Sequence, residues 1–186
     1  KEKRFAANLT RYHEYAREND LCLTHTFGHP QVNRAVPVSD LPDPYLALGA
    51  VDTTSDGVIV RGAKLLATLA PFSDELFAPI YRPLRPDAEE DKKYCMGFAI
   101  PVNTPGLKFI CRQSYDFGEA LYDYPLSGRY DEMDALAVFD DVLIPWGTPI
   151  LGDFPTFQSD GSNTAAEQAQ QSGEWHDGIH FFPIDG

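Results

Sequence analysis

The residues of this chain best suited to chemistry lie between His25 and Arg34. His25 follows an apolar stretch and stands nine residues before Arg34, with Gln31 and Asn33 between them. A neutral imidazole both donates and accepts, whereas amide and guanidinium groups add fixed donors. That combination suits a phenol, a flavin oxygen or an anion. On residue types alone a lone histidine is more often a hydrogen-bonded filler, so both readings stand at this point. His29 falls in a stretch without pattern and reads as solvent-facing.

Three other groupings bear on chemistry. Lys64, in Arg61-Gly62-Ala63-Lys64, would suit a Schiff base or a phosphate, but a strand-edge lysine with its head in water fits the context better. Asp131, Glu132, Asp134, Asp140 and Asp141 would suit acid–base work or a hard metal ion. Apolar residues interleave them, which places them on the outer face and turns of a strand pair. Glu174, His176, Asp177 and His180 offer a zinc-like spacing only if helical. Gly173 and Gly178 weaken a helix there, so an irregular tail is expected and no metal site is assigned. Cys22, Cys95 and Cys111 have neither metal-ligand spacing nor an even count. Cys95 and Cys111 sit in apolar runs and read as buried, reduced thiols. The chain has no dinucleotide fingerprint, phosphate-binding Walker loop or Gly-x-Ser-x-Gly elbow.

The elements that must position these residues change character near residue 20. Phe5, Leu9, Tyr12, Tyr15 and Ala16 recur at helical spacing, predicting an amphipathic helix over Phe5–Glu18. From there the period falls to two. Tyr45–Asp52, Gly57–Arg61, Lys64–Ala70, Glu75–Tyr81, Lys93–Val102, Leu107–Arg112 and Ala135–Ile144 read as strands. Asp56-Gly57 marks a hairpin and Asn103–Gly106 a bend. About seven short strands suggest a mainly β fold, an antiparallel sandwich or partly closed barrel with an N-terminal helix and an irregular C-terminal tail. The divisions expected are 1–20, a helix like the end of a preceding helical domain; 21–146, the β domain; and 147–186, the tail. With 15 basic against 28 acidic residues and a net charge of −13, the chain has no basic stripe for nucleic acid or an anionic membrane. No apolar run is long enough to span a bilayer and no signal peptide is evident, so a cytoplasmic location is expected.

Four segments then carry a resemblance: Leu23–Arg34 (LTHTFGHPQVNR), Arg61–Leu76 (RGAKLLATLAPFSDEL), Pro101–Tyr115 (PVNTPGLKFICRQSY) and Tyr130–Trp146 (YDEMDALAVFDDVLIPW). In order and spacing they resemble the central β domain of the 4-hydroxyphenylacetate 3-monooxygenase large-component family, over roughly Phe5 to Trp146. The resemblance implies an acyl-CoA-dehydrogenase-like middle domain between two helical ones, in a homotetramer at full length. It implies a two-component monooxygenase: a separate flavin reductase supplies reduced FAD, and O2 serves to hydroxylate a phenol such as 4-hydroxyphenylacetate ortho to its hydroxyl. By the same resemblance His25 contacts both phenol and flavin. Thr26, Phe27, Gln31, Val32, Asn33 and Arg34 line the flavin, and Thr68 reaches its isoalloxazine ring. The family's substrate-binding arginine and tyrosine, and its C-terminal helical bundle, have no counterpart in these residues. Gly147 also stands where the family usually has an acidic residue. The chain alone is therefore expected not to hydroxylate a phenol at a useful rate. The alternative is a non-catalytic, stand-alone β domain or fragment that serves as a binding or assembly module. An acyl-CoA dehydrogenase middle domain is a third and poorer match.

Overall fold

The computed structural model describes residues 2–30, 32, 33, 35–79, 89–94, 96–118, 120–127, 129–146, 152–153 and 180–181. In chain order the elements are α1 (Glu2–Glu18), β1 (Leu23–His25), β2 (Gly49–Thr53), β3 (Gly57–Thr68), β4 (Glu75–Ala78), the single turn α2 (Glu89–Lys92), β5 (Phe98–Pro101), β6 (Leu107–Cys111), β7 (Asp134–Pro145), β8 (Gly152–Asp153) and β9 (His180–Phe181). Short 3-10 turns lie at Val38–Asp40 and Ala70–Phe72. α1 ends because Asp20 turns left-handed, at φ 52°. That lets the Leu21 amide donate to Ala16 O and the Asp20 amide to Arg17 O, which satisfies carbonyls the helix leaves open. Tyr12 is the buried residue on the described part of the helix, and its hydroxyl donates to Glu75 Oε2 at 2.8 Å. Burial first, and then Glu75, raise its pKa well above the usual phenol range.

The strands form two principal sheets, β1-β4-β5 and β2-β3-β7-β6. Both turn apolar residues inward onto one core. Leu76, Ala78, Phe98 and Ile100 come from the first sheet, and Val58, Val60, Phe139, Val142 and Ile144 from the second. The Phe98 and Phe139 rings meet edge to face across the layers, 5.9 Å between centroids. The result is a two-layer sandwich, and no sheet closes into a barrel among the described residues. The hairpin at Asp56-Gly57 is present: the Thr54 amide donates to Gly57 O and the Trp146 amide to Asp56 O.

Several expectations need correction. Leu23–His25 is a strand, and it pairs in parallel with β4. Gly57–Arg61 and Lys64–Ala70 are not two strands, because β3 continues through Gly62 as a bulge to Thr68. A Cβ on Gly62 would stand 2.2 Å from Ala47 O, and its φ is +125°, so only glycine fits. Tyr45–Asp52 begins later, at Gly49, and Lys93–Val102 narrows to Phe98–Pro101. The bend at Asn103–Gly106 carries the chain from one sheet to the edge of the other. Cys22 and Cys111 are exposed, Cys111 because β6 is an edge strand; Cys95 lies outside the described residues. Of 147–186, only the backbone of β8 and β9 is described.

Candidate functional site

The segment after Leu23 lies where the two sheets meet. β1 runs beside β4, and the Thr26 amide still donates to Phe77 O at 2.8 Å. Two residues later the chain has crossed to β3: Gly28 and Leu65 exchange backbone hydrogen bonds of 2.6 and 2.7 Å. Thr24 Oγ1 donates to Thr68 O at 2.5 Å. Residues 24–28 therefore lie alongside 65–68, and His25, Thr26 and Phe27 are brought beside Thr68, more than forty residues away in sequence.

Alternation decides which side chains are offered. Thr24 and Thr26 are buried, whereas His25 and Phe27 are exposed. The His25 and Phe27 rings pack edge to face at 4.6 Å, so the exposed imidazole is held by an aromatic neighbour. Leu66, Leu69 and Phe72, on the adjoining stretch of chain, are exposed as well. The Thr26 hydroxyl is fully buried and has no hydrogen-bond partner among the described residues. Thr68 Oγ1 donates to Asp134 Oδ1 at 2.8 Å, which leaves its oxygen lone pairs for a ligand.

Beyond Thr68 the network continues. Arg112 pairs with Asp131 at 2.5 Å and lies 3.7 Å from Asp134, and it also donates to Glu132 O. Its guanidinium sits 4.1 Å over the Tyr115 ring. Asp131 accepts from Ser114 Oγ and the Tyr115 amide. Those bonds, Ser114's first and then Arg112's, hold its carboxyl down at about 2. Asp131 and Asp134 thus order a loop, contrary to the expectation of outward decoration. Asp140 and Asp141 are exposed and pair with Lys108 and Arg61.

Of the other expected residues, Val32 and Asn33 are exposed, and Asn33 Oδ1 accepts from the Ala35 amide. Gln31 and Arg34 lie outside the described residues, as do Glu174, His176 and Asp177. His29 is not solvent-facing; it is half-buried with its ring 6.2 Å from that of Tyr94. Lys64 is not an edge lysine. It is 2% exposed, and its Nζ donates to Phe27 O at 3.0 Å and Pro79 O at 2.5 Å. Burial pushes its ammonium down from 10.5 to about 7. Sequence reasoning weighed Lys64 and Asp134 but placed the first at a strand edge and the second on the outer face. The available signal for the lysine was its place within Ala63-Lys64-Leu65-Leu66-Ala67, where a strand has few polar ends to offer.

An outward imidazole, an aromatic ring, a half-buried hydroxyl and neighbouring exposed leucines form a strip that fits a planar, partly polar ring system. Three comparisons with known proteins agree on the family of the chain. The family model described as "4-hydroxyphenylacetate 3-hydroxylase N terminal" matches residues 1–148. The 4-hydroxyphenylacetate 3-monooxygenase oxygenase component of Thermus thermophilus is 46% identical over 142 residues, 76% of this chain and 29% of that protein. Its counterpart from Geobacillus is 44% identical, over 76% of this chain and 28% of that protein. A crystal structure of such an oxygenase component, complexed with FAD and 4-hydroxyphenylacetate, superposes with a TM-score of 0.68 at 45% identity. That match covers 81% of this chain and 31% of the other. The chain thus spans about three tenths of the length of these relatives.

Proposed function

The chain belongs to the 4-hydroxyphenylacetate 3-hydroxylase N-terminal family, and from that premise we propose that it forms the flavin- and phenol-facing β domain of a two-component aromatic monooxygenase. The reaction is ortho-hydroxylation of a 4-hydroxyphenylacetate-like phenol with O2. The observation that carries this reading is the strip itself: His25 and Phe27 turned outward beside Thr68, on two segments that only the fold brings together. Reduced FAD, delivered by a separate reductase component, would supply the oxygen activation there. His25, Thr26, Phe27, Gln31, Val32, Asn33, Arg34 and Thr68 are the residues assigned to hold it.

The roles of the chain's own groups follow from their surroundings. Phe27 and the neighbouring leucines provide the apolar side of a ring site. Thr68, its proton committed to Asp134, presents an acceptor. His25 hydrogen-bonds the phenol hydroxyl and favours the more nucleophilic, deprotonated form. In the 186-residue chain His25 is exposed and Phe27 is 40% exposed, so water has free access to the reacting positions. Exposed Tyr115, Phe117, Tyr122, Tyr124 and Tyr130 favour the second reading, an assembly module.

Anaerobic titration with reduced FAD tests the first reading. Micromolar binding that weakens in Phe27→Ala and Thr68→Val is the expected result. No binding by the chain would overturn the cofactor assignment and leave the assembly module. With a flavin reductase, NADH, FAD and 4-hydroxyphenylacetate, the chain alone should release peroxide without catechol. Stoichiometric catechol would contradict the water-access argument.

A further inference from the structure

At Phe27 the chain changes partners. Up to Thr26 it is held by β4, and from Gly28 it is held by β3, so the Phe27 carbonyl belongs to neither ladder. A backbone carbonyl left without a donor in such a place is costly. Lys64 Nζ supplies the donor, and the same group reaches Pro79 O just past the end of β4. One buried nitrogen thereby ties the crossover strip, β3 and the exit of β4 together. Taking an ammonium out of water without a counter-ion is unfavourable, and an apolar side chain would fill the same volume with less penalty. The two carbonyl bonds offset part of that penalty, and they hold the crossover strip in place.

We infer that Lys64 is a positioning residue: its hold on the Phe27 carbonyl fixes the outward presentation of His25 and Phe27 relative to Thr68. The inference rests on reading the strip as the flavin- and phenol-facing edge, but the clamp itself is observable without flavin. The titratable groups on the surrounding elements are His25 on β1, Glu75 on β4, Arg61 on β3, and Asp134, Asp140 and Asp141 on β7. Glu75 is engaged by Tyr12, Asp134 by Thr68, Asp140 by Lys108 and Asp141 by Arg61. Burial alone lowers the Lys64 ammonium, so its own protonation is the variable that a pH series follows.

The test is amide exchange in the isotope-labelled 186-residue chain and its Lys64→Met variant, with reduced-FAD titration of both. Loss of the two Lys64 hydrogen bonds predicts about tenfold faster exchange at Gly28 and Leu65, with Val60, earlier on the same strand, unchanged. Affinity for reduced FAD should fall by a similar factor. In the unsubstituted chain, protection at Gly28 and Leu65 should also rise severalfold as pH rises from about 6 to about 9, because an opened strip returns Lys64 to water where it binds a proton more readily, whereas the variant should be flat over that range. Unchanged exchange at Gly28 and Leu65 in the variant overturns the inference. Loosened exchange with equal FAD affinity reduces Lys64 to a fold brace and overturns the positioning role. If neither protein binds reduced FAD while the strip loosens, the clamp stands and the flavin reading falls. If Lys64→Met does not fold, the pH series of the unsubstituted chain decides, and flat protection overturns the proposal.

Discussion

Replacing Lys64 by methionine should change the pH dependence of stability more clearly than stability itself. The side chain is 2% exposed, and burial lowers its pKa from 10.5 to about 7. In the unfolded chain the amine keeps its ordinary value, so between those limits the unfolded state binds a proton that the folded state does not. Stability from this group is therefore full above about 10.5 and is lost as pH falls toward about 7. The full span, from 10.5 to about 7, corresponds to about 5 kcal/mol, a large part of what a domain of this size has in total. Methionine abolishes that penalty but removes the Lys64 donor from the carbonyls of Phe27 and Pro79, at up to ~1–3 kcal/mol each. The two effects oppose, so the difference at any single pH is not diagnostic. The slope is, because stranded carbonyls do not titrate. Urea unfolding followed by tryptophan fluorescence should show the unsubstituted chain gaining about 2 kcal/mol on the variant between pH ~7 and ~9. A difference that stays constant over that interval would refute the assignment of a buried, nearly neutral lysine.

Gly62→Ala should cost more than about 4 kcal/mol, because the new Cβ would meet the Ala47 carbonyl at 2.2 Å and force the bulge open. Gly118→Ala, at φ +72° with nothing within 4 Å, should cost only ~1 kcal/mol; similar midpoint shifts for both in urea would contradict the packing argument. Asp131→Asn should free the loop at Ser114 and Tyr115. The Asp131 carboxyl is held at about 2 against an ordinary 3.8, so its contribution is complete above about 3.8 and is lost as pH falls through about 2. Protection of the Tyr115 amide should follow that course in the unsubstituted chain and be low throughout in the variant; equal protection would argue against the Asp131 anchor. His25→Asn should leave the melting temperature unchanged, since the ring is exposed, while weakening phenol binding in the presence of reduced FAD; a large loss of stability would show that the imidazole serves the fold.

What was legible in the sequence is what local periodicity encodes. α1, the Asp56-Gly57 hairpin and the alternation of Ala135–Ile144 all follow from spacing and turn chemistry. What was not legible depends on partners far along the chain. Leu23–His25 is too short and too polar to announce itself, and it is a strand because β4 lies beside it. β3 looks broken at Gly62, since nothing local distinguishes a bulge from a chain break. Lys64 reads as an edge residue because its acceptors, Phe27 O and Pro79 O, come from segments 37 and 15 residues away.

The candidate site shows the same division from the other side. Once 23–28 is known to be extended, period two alone turns His25 and Phe27 outward and Thr24 and Thr26 inward, so the ligand-facing pair is a local consequence. That Thr68 stands beside them is not, because it depends on the crossover from β4 to β3. A strand that leaves one sheet for another must strand a carbonyl between them, and a residue with a long side chain on the receiving strand is the one able to reach it. Lys64 occupies that position, three residues after the Arg61 that pairs with Asp141 and four before the Thr68 that pairs with Asp134. β3 is thus the element that registers the strip against the second sheet, and changes to its buried donors should be felt at His25 and Phe27 before they are felt in the core.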